Sequence, residues 1–228
     1  MSIFDNKCYK GANPQKLVVF IHGYNGSPES IDYAVKSLYG KLNDAVVVVP
    51  RAPFACEKDQ SNLQWLSFYE KDPAVRFRNP DASVKEIFDI FNSLWKSFYD
   101  VAGQMNKFID EQQKLWGIDD DNTYVVGFSQ GAMITIATSL TRRKKIAGAV
   151  SVAGIVPGIQ YLPLCISSRP KFLLLHGKDD ATVQYKTVAT TVDWFKQQKI
   201  DFTYQEFEGL AHRMNDDEMS VAADFINS

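Results

Sequence analysis

Short runs of apolar, β-branched residues recur along this chain, and segments with helical spacing separate them. Continuous apolar runs are typical of strands that are buried on both faces, and a helix between two such strands makes them parallel. The sequence therefore predicts an α/β fold with a mostly parallel central sheet and helices on both faces. The runs that we predict as strands are 17–21, 45–49, 123–126, 146–152, 171–175 and 202–207.

The helical patterns carry start and stop signals. Ser27 and Pro28 suit the N-cap and the first position of a helix that follows the first strand. Ser83 and Glu86 have the spacing of a capping box, and apolar residues at helical spacing follow them. We predict one long amphipathic helix from there to a stop near Gly117.

The length of 228 residues fits one domain, 1–228. Hydrophobic residues make up 45% of the chain and charged residues 23%, as in ordinary globular proteins. The segment 51–82 has no clear period but is rich in proline and aromatic residues. A loop of this length is uncommon unless it has a function, so we expect a structured excursion here.

Charge and cysteine content exclude several classes of protein. The net charge of −2 gives no reason to expect nucleic acid or an anionic membrane as a partner. The three cysteines are scattered and none lies in a C-x-x-C unit, which favours a reducing compartment without a zinc site. The apolar runs are too short to cross a bilayer, and the first residues lack the apolar core of a signal peptide. We expect a cytoplasmic protein without stable membrane insertion. The sequence leaves the oligomeric state open, with a homodimer as one candidate.

The motif G-x-S-x-G occurs at residues 127–131, with Ser129 at its centre. In this motif the serine lies on a sharp turn from a strand to a helix, and the flanking glycines let neighbouring backbone approach closely. A predicted strand precedes the motif and a helical pattern follows it, which is the required context. We predict that Ser129 is the nucleophile of a serine hydrolase with the α/β-hydrolase fold.

A serine hydroxyl is a weak nucleophile and needs a base that a third group orients. His22 and His176 end predicted buried strands and precede glycines, which favours structural roles, whereas His212 lies in a loop before the last helix. We therefore choose His212 as the general base. The acid in this fold lies between the serine and the histidine in the chain, where Asp179 and Asp180 are both candidates.

The oxyanion intermediate needs two backbone N–H donors. One comes from the residue after the nucleophile, Gln130, and the other from the turn after the first buried strand, where we predict Tyr24. No group of histidines and acids has metal spacing, so no metal or cofactor is expected.

Five short motifs together resemble the bacterial phospholipase/carboxylesterase family, whose relatives include acyl-protein thioesterases. They are residues 20–24 (FIHGY), 50–54 (PRAPF), 127–132 (GFSQGA), 176–180 (HGKDD) and 209–212 (GLAH). The resemblance covers nearly the whole chain. The family pattern H-G-x-x-D-x-x-V selects Asp180 over Asp179. The resemblance also implies that the excursion 51–82 lines the substrate channel. The candidate substrate contacts are then Tyr24, Phe54 and Trp65.

The expected function is that of a serine carboxylesterase acting on short to medium acyl esters through an acyl-enzyme on Ser129. Acyl-protein thioesterase or lysophospholipase activity is an alternative within the same chemistry. A peptidase of the same fold is a second alternative, and it would cleave amides as well as matched esters. A non-catalytic binding protein would have no need of Ser129, Asp180 and His212 together. The expected partner is a small ester or thioester substrate.

Overall fold

The computed structural model describes residues 2–228, and its centre is a seven-stranded sheet. The strand order is β1-β3-β2-β6-β7-β8-β9, with β1 antiparallel to β3 and every other neighbouring pair parallel. The strands are β1 (Asn6–Lys10), β2 (Lys16–Ile21), β3 (Ala45–Pro50), β6 (Thr123–Phe128), β7 (Gly148–Val152), β8 (Lys171–Gly177) and β9 (Phe202–Phe207). The six predicted strands are confirmed to within two residues at each end.

The edge strand β1 was not predicted. Its sequence, NKCYK, places lysines and a half-buried tyrosine on a strand that pairs on one side only. An edge strand keeps one face and one row of backbone groups open, so it carries no continuous apolar run.

Alternate side chains of each strand enter two separate cores, because successive residues of a strand point to opposite faces. Leu17 and Val19 of β2 belong to the larger core, which contains side chains of α2 to α5, and Val18 and Phe20 belong to the smaller one, under α1 and α6. The predicted helices on both faces are confirmed. These helices are α1 (Asp32–Tyr39), α2 (Val84–Ser93), α3 (Trp95–Trp116), α4 (Gln130–Thr141), α5 (Val188–Gln197) and α6 (Asp216–Asn227).

Two helix predictions are wrong in detail. Ser27 does not cap α1, because the backbone N–H of Ser27 bonds to Ser30 Oγ and that of Ser30 to Ser27 Oγ, which closes a separate turn before the helix. The expected single long helix is two helices that meet at Leu94. Just before this break the Ser93 hydroxyl donates to the Ile90 carbonyl at 2.6 Å, a bond that bends helices. The capping box of Ser83 is confirmed.

The excursion 51–82 is structured. It contains a small hairpin, β4 (Phe54–Ala55) and β5 (Leu63–Gln64), and a short 3-10 helix, Arg76–Arg78. The side chain of Gln130 holds this segment in place, accepting a bond from the Trp65 N–H at 3.0 Å and donating one to the Leu66 carbonyl at 3.1 Å. The excursion is thus attached to the first residue of α4, beside Ser129.

No helix between residues 2 and 228 combines the length and the apolar character that crossing a membrane requires.

Candidate active site

Ser129 lies on the bend between β6 and α4, with φ 56° and ψ −117°. A non-glycine residue with positive φ is uncommon and costs free energy, so the surrounding contacts must hold it there. The flanking glycines explain how the bend fits: a Cβ on Gly131 would lie 2.1 Å from the Ile21 carbonyl oxygen, and one on Gly127 would lie 2.3 Å from the Gly131 oxygen. The start of α4 therefore packs directly on the end of β2.

His212 reaches Ser129 from the loop between β9 and α6. Its Nε2 lies 2.9 Å from Ser129 Oγ, and its Nδ1 lies 2.7 Å from Asp180 Oδ2. Because an ionised carboxylate only accepts hydrogen bonds, Nδ1 carries the proton and Nε2 is left to accept the Ser129 hydroxyl proton. The imidazole also packs on the ring of Phe128, with 4.8 Å between the ring centroids.

Asp180 is fixed from both sides of its carboxylate. Oδ1 accepts the backbone N–H groups of Thr182 and Val183, each at 2.9 Å, while Oδ2 faces His212. The side chain is fully buried. Asp179 is exposed and its N–H donates to the Leu210 carbonyl, so Asp180 is the aspartate that contacts His212.

The other two histidines are buried and hold loops. The Ala52 N–H donates to His22 Nε2 at 3.2 Å, and His22 Nδ1 donates to the Gly23 carbonyl at 2.8 Å. Burial lowers the pKa of His22 to about 4, so this side chain is neutral at pH 7. His176 donates from Nε2 to the Val183 carbonyl at 2.8 Å, and burial lowers its pKa as well. Neither ring touches Ser129 through a hydrogen bond.

The two predicted oxyanion donors belong to segments that meet at the serine. Gly23 approaches so closely that a Cβ on it would lie 3.2 Å from Ser129 Cβ, and Tyr24 follows it directly. Gln130 is the first residue of α4, so its N–H has no acceptor within the helix. Within the described chain, the backbone N–H groups of Tyr24 and Gln130 bond to no protein acceptor. The helix dipole of α4 adds a positive field at the same point.

The three predicted substrate contacts differ in exposure. Tyr24 is half-buried against the Phe68 ring, and Phe54 is 54% exposed on the excursion. Trp65 has no exposed surface, because its Nε1 donates to the His22 carbonyl at 2.9 Å and its ring packs on Phe4 and His22. Trp65 therefore does not line an open channel in this structure and instead supports the backbone of the β2 end.

Sequence reasoning missed the structural role of the Gln130 side chain and that of Gln184. Gln184 Nε2 donates to the carbonyls of Phe77 and Asn79 at 2.9 and 2.8 Å, which fastens the excursion to the loop that carries Asp180. Both side chains are buried, and neither role has a local signal in the sequence, because each hydrogen bond joins residues more than 60 positions apart. The arrangement of serine, imidazole, carboxylate and free N–H groups suits attack on an acyl carbonyl.

Comparisons with known proteins agree with this chemistry. The family model described as phospholipase/carboxylesterase matches residues 8–228. Acyl-protein thioesterase 1 of Candida albicans is 24% identical over 96% of this chain and 94% of its own length. Carboxylesterase SOBER1 of Arabidopsis thaliana is 24% identical over 92% of this chain and 89% of its own. Among solved structures, esterase PE8 has a TM-score of 0.81 at 20% identity, covering 98% of this chain and 97% of that one, which shows the same fold.

Proposed function

This chain belongs to the phospholipase/carboxylesterase family, and from that premise we propose that it is a serine carboxylesterase that hydrolyses short to medium acyl esters through an acyl-enzyme on Ser129. The hydrogen-bond chain from Ser129 through His212 to Asp180 is the observation that carries the proposal. The relatives named above support it: one is a carboxylesterase and the other an acyl-protein thioesterase, and both names describe cleavage at an acyl carbonyl.

In the first half of the reaction Ser129 Oγ attacks the acyl carbonyl while His212 Nε2 takes the hydroxyl proton. The negative charge that develops on the carbonyl oxygen is stabilised by the backbone N–H groups of Tyr24 and Gln130. Asp180 stabilises the imidazolium that forms and holds its orientation. His212 then gives the proton to the leaving alcohol, and the acyl group stays on Ser129.

In the second half, water attacks the acyl-enzyme from the side that the alcohol has left. His212 again removes a proton, now from water, and returns it to Ser129 as the acid is released. No residue outside the same five groups is required for either half.

A narrow apolar cleft lies beside the Asp180 loop, and its volume of about 10 Å³ is room for about one water molecule. Phe77, Phe91, Ile155 and Val183 are among the side chains that line it. Ligand pockets usually measure about 300–1,000 Å³, so this cleft would have to widen to admit even a short acyl group.

The test is hydrolysis of p-nitrophenyl butyrate by the wild type, Ser129→Ala and, as a matched control, Ser228→Ala at the exposed C-terminus. We expect kcat to fall by about 10⁴–10⁶ for Ser129→Ala and to stay unchanged for the control. A fluorophosphonate should label the wild type and fail to label Ser129→Ala. Near-normal turnover or labelling without Ser129 would refute the proposal.

A second candidate function is hydrolysis of thioesters, favoured by the relative named acyl-protein thioesterase 1, which matches along nearly its whole length. The same acyl-enzyme would form, since only the leaving atom changes from oxygen to sulfur. A butyryl thioester measured against the matched oxygen ester decides between them, because a thioesterase would show the higher kcat/KM with sulfur.

We also propose a cytoplasmic location. Cys8, Cys56 and Cys165 are all free thiols in the structure, which is the usual state of cysteines in a reducing compartment.

A further inference from the structure

The side chain of Arg78, in the 3-10 helix of the excursion, lies beside the loop that carries Tyr24, a predicted oxyanion donor. Its guanidinium is 5.5 Å from the ring centroid of Tyr24 and 5.4 Å from that of Phe77. Tyr24 directly follows Gly23, whose backbone approaches Ser129 closely. Arg78 thus contacts the residue that follows Gly23 in the chain.

The backbone around Arg78 is also fastened to the loop of the orienting acid. Gln184 donates to the carbonyls of Phe77 and Asn79, the two neighbours of Arg78, and Gln184 lies four residues after Asp180. Arg78 therefore lies between the Tyr24 loop and the Asp180 loop, at the same end of the sheet as Ser129. The two hydrogen bonds from Gln184 restrict how far residues 77–79 can move.

Within residues 2–228, no carboxylate lies within ion-pairing distance of Arg78. The other shielded arginines differ: Arg51 pairs with Glu29 at 2.6 Å, and Arg142 pairs with Asp110 and Asp120. Arg143 has no carboxylate either, but it is exposed and water solvates it. Arg78 is only partly exposed, and its Nε is buried without a hydrogen-bond partner.

Stacking on the two rings does not provide acceptors for the N–H groups of the Arg78 guanidinium. A cation–π contact engages the flat face of the guanidinium, whereas its N–H groups point outward in the plane. The acid nearest to Tyr24 is Glu57, whose oxygens already accept bonds from Gln64, Phe68 and Tyr69. A partly buried cation whose N–H donors lack acceptors destabilises the protein unless an anion accepts hydrogen bonds from it.

We propose that Arg78 binds an anionic group, a carboxylate or a phosphate, on the ester substrate. The planar guanidinium can hold either group with two parallel hydrogen bonds. This inference rests on the proposed esterase function and adds a substrate class to it: esters that carry a negative charge a short distance from the scissile bond. The charge can lie at the far end of the acyl chain or on the alcohol, and the experiment separates these two sources.

The experiment measures kcat/KM for two matched pairs of esters. The first pair is p-nitrophenyl butyrate and mono-p-nitrophenyl glutarate, which differ by a carboxylate at the acyl end. The second pair is propyl butyrate and the butyryl ester of 3-hydroxypropyl phosphate, which differ by a phosphate on the alcohol and are followed by acid release. The proteins are the wild type, Arg78→Gln, Arg78→Lys and Arg143→Gln, the last removing an exposed positive charge as a control.

We expect the wild type to prefer the anionic member of one pair. In Arg78→Gln this preference should fall by about 10- to 100-fold, the loss typical of a hydrogen bond to a charged group. Arg78→Lys should recover part of the preference, and Arg143→Gln should keep all of it. Thermal unfolding of each variant shows whether it is folded. A loss of folded protein lowers the rate with both esters of a pair equally, so it does not change the ratio of their kcat/KM values.

Equal preference in the wild type and in Arg78→Gln for both pairs would overturn the role of Arg78, even when the neutral esters are hydrolysed. A wild type that hydrolyses none of the four esters would instead overturn the proposed function. The pair in which the preference falls identifies the side of the scissile bond on which the anion binds.

Discussion

Glu218 lies in the first turn of α6, and its carboxyl group is fully buried. Oε2 accepts the backbone N–H of Asn215 at 3.2 Å in a capping box, whereas Oε1 has no hydrogen-bond partner in the described structure. Burial, together with the charge of Asp180, raises the pKa of Glu218 to about 7, against the bond from Asn215, which lowers it. The substitution Glu218→Gln keeps the capping oxygen and removes the ionisation.

The direction of the effect follows from proton binding. Between pH 4.5, the ordinary value, and about 7, the folded protein keeps the proton on Glu218 while the unfolded chain has lost it. The free energy of unfolding therefore contains a contribution that is fully present below pH 4.5 and is lost as the pH rises to about 7. At about 1.4 kcal/mol for each pH unit, this loss amounts to about 2–3 kcal/mol between pH 5 and pH 8.

Urea unfolding at pH 5 and pH 8 measures this contribution. The wild type should lose about 2–3 kcal/mol relative to Glu218→Gln between the two pH values. Any pH-independent cost of the new amide cancels in this comparison, and so do the titrations of His22 and His176, which both proteins share. Asp217→Asn, at an exposed acid in the same helical turn, should follow the wild type. Parallel stability profiles for the wild type and Glu218→Gln would refute the reasoning.

Two further substitutions test the contacts around Ser129. Gly131→Ala should lower the free energy of unfolding by about 3 kcal/mol or more, because the new Cβ would collide with the Ile21 backbone oxygen. The control Gly103→Ala, at an open position of α3, should raise the free energy of unfolding by about 0.5–1 kcal/mol. Thermal unfolding compares them, and equal midpoints would contradict the close packing. Gln130→Leu should cost about 2–4 kcal/mol in urea unfolding, since the Trp65 N–H and the Leu66 carbonyl lose their partners. A cost below about 0.5 kcal/mol would mean that water replaces the amide there.

Much of the fold was predictable because its signals are local. The apolar runs of β2 and β3 and the capping box of Ser83 depend on residues that are neighbours in the chain. The break at Leu94 was hidden, since one serine hydroxyl turning back to a carbonyl leaves the helical pattern unchanged. The edge strand β1 was hidden because its pairing with β3 involves residues about 40 positions away.

The same division applies to the candidate site. The sequence alone determined that Ser129 follows a buried strand and precedes a helix, and that acids and a histidine follow in the order this chemistry needs, because these are properties of short segments and of their order. The family resemblance had already selected Asp180 over Asp179, and the structure shows its contact with His212. Only the tertiary structure decided that Trp65 is buried and that Arg78 lies unpaired beside Tyr24. Each of these depends on contacts between distant segments, whose distances and burial exist only after the chain has packed.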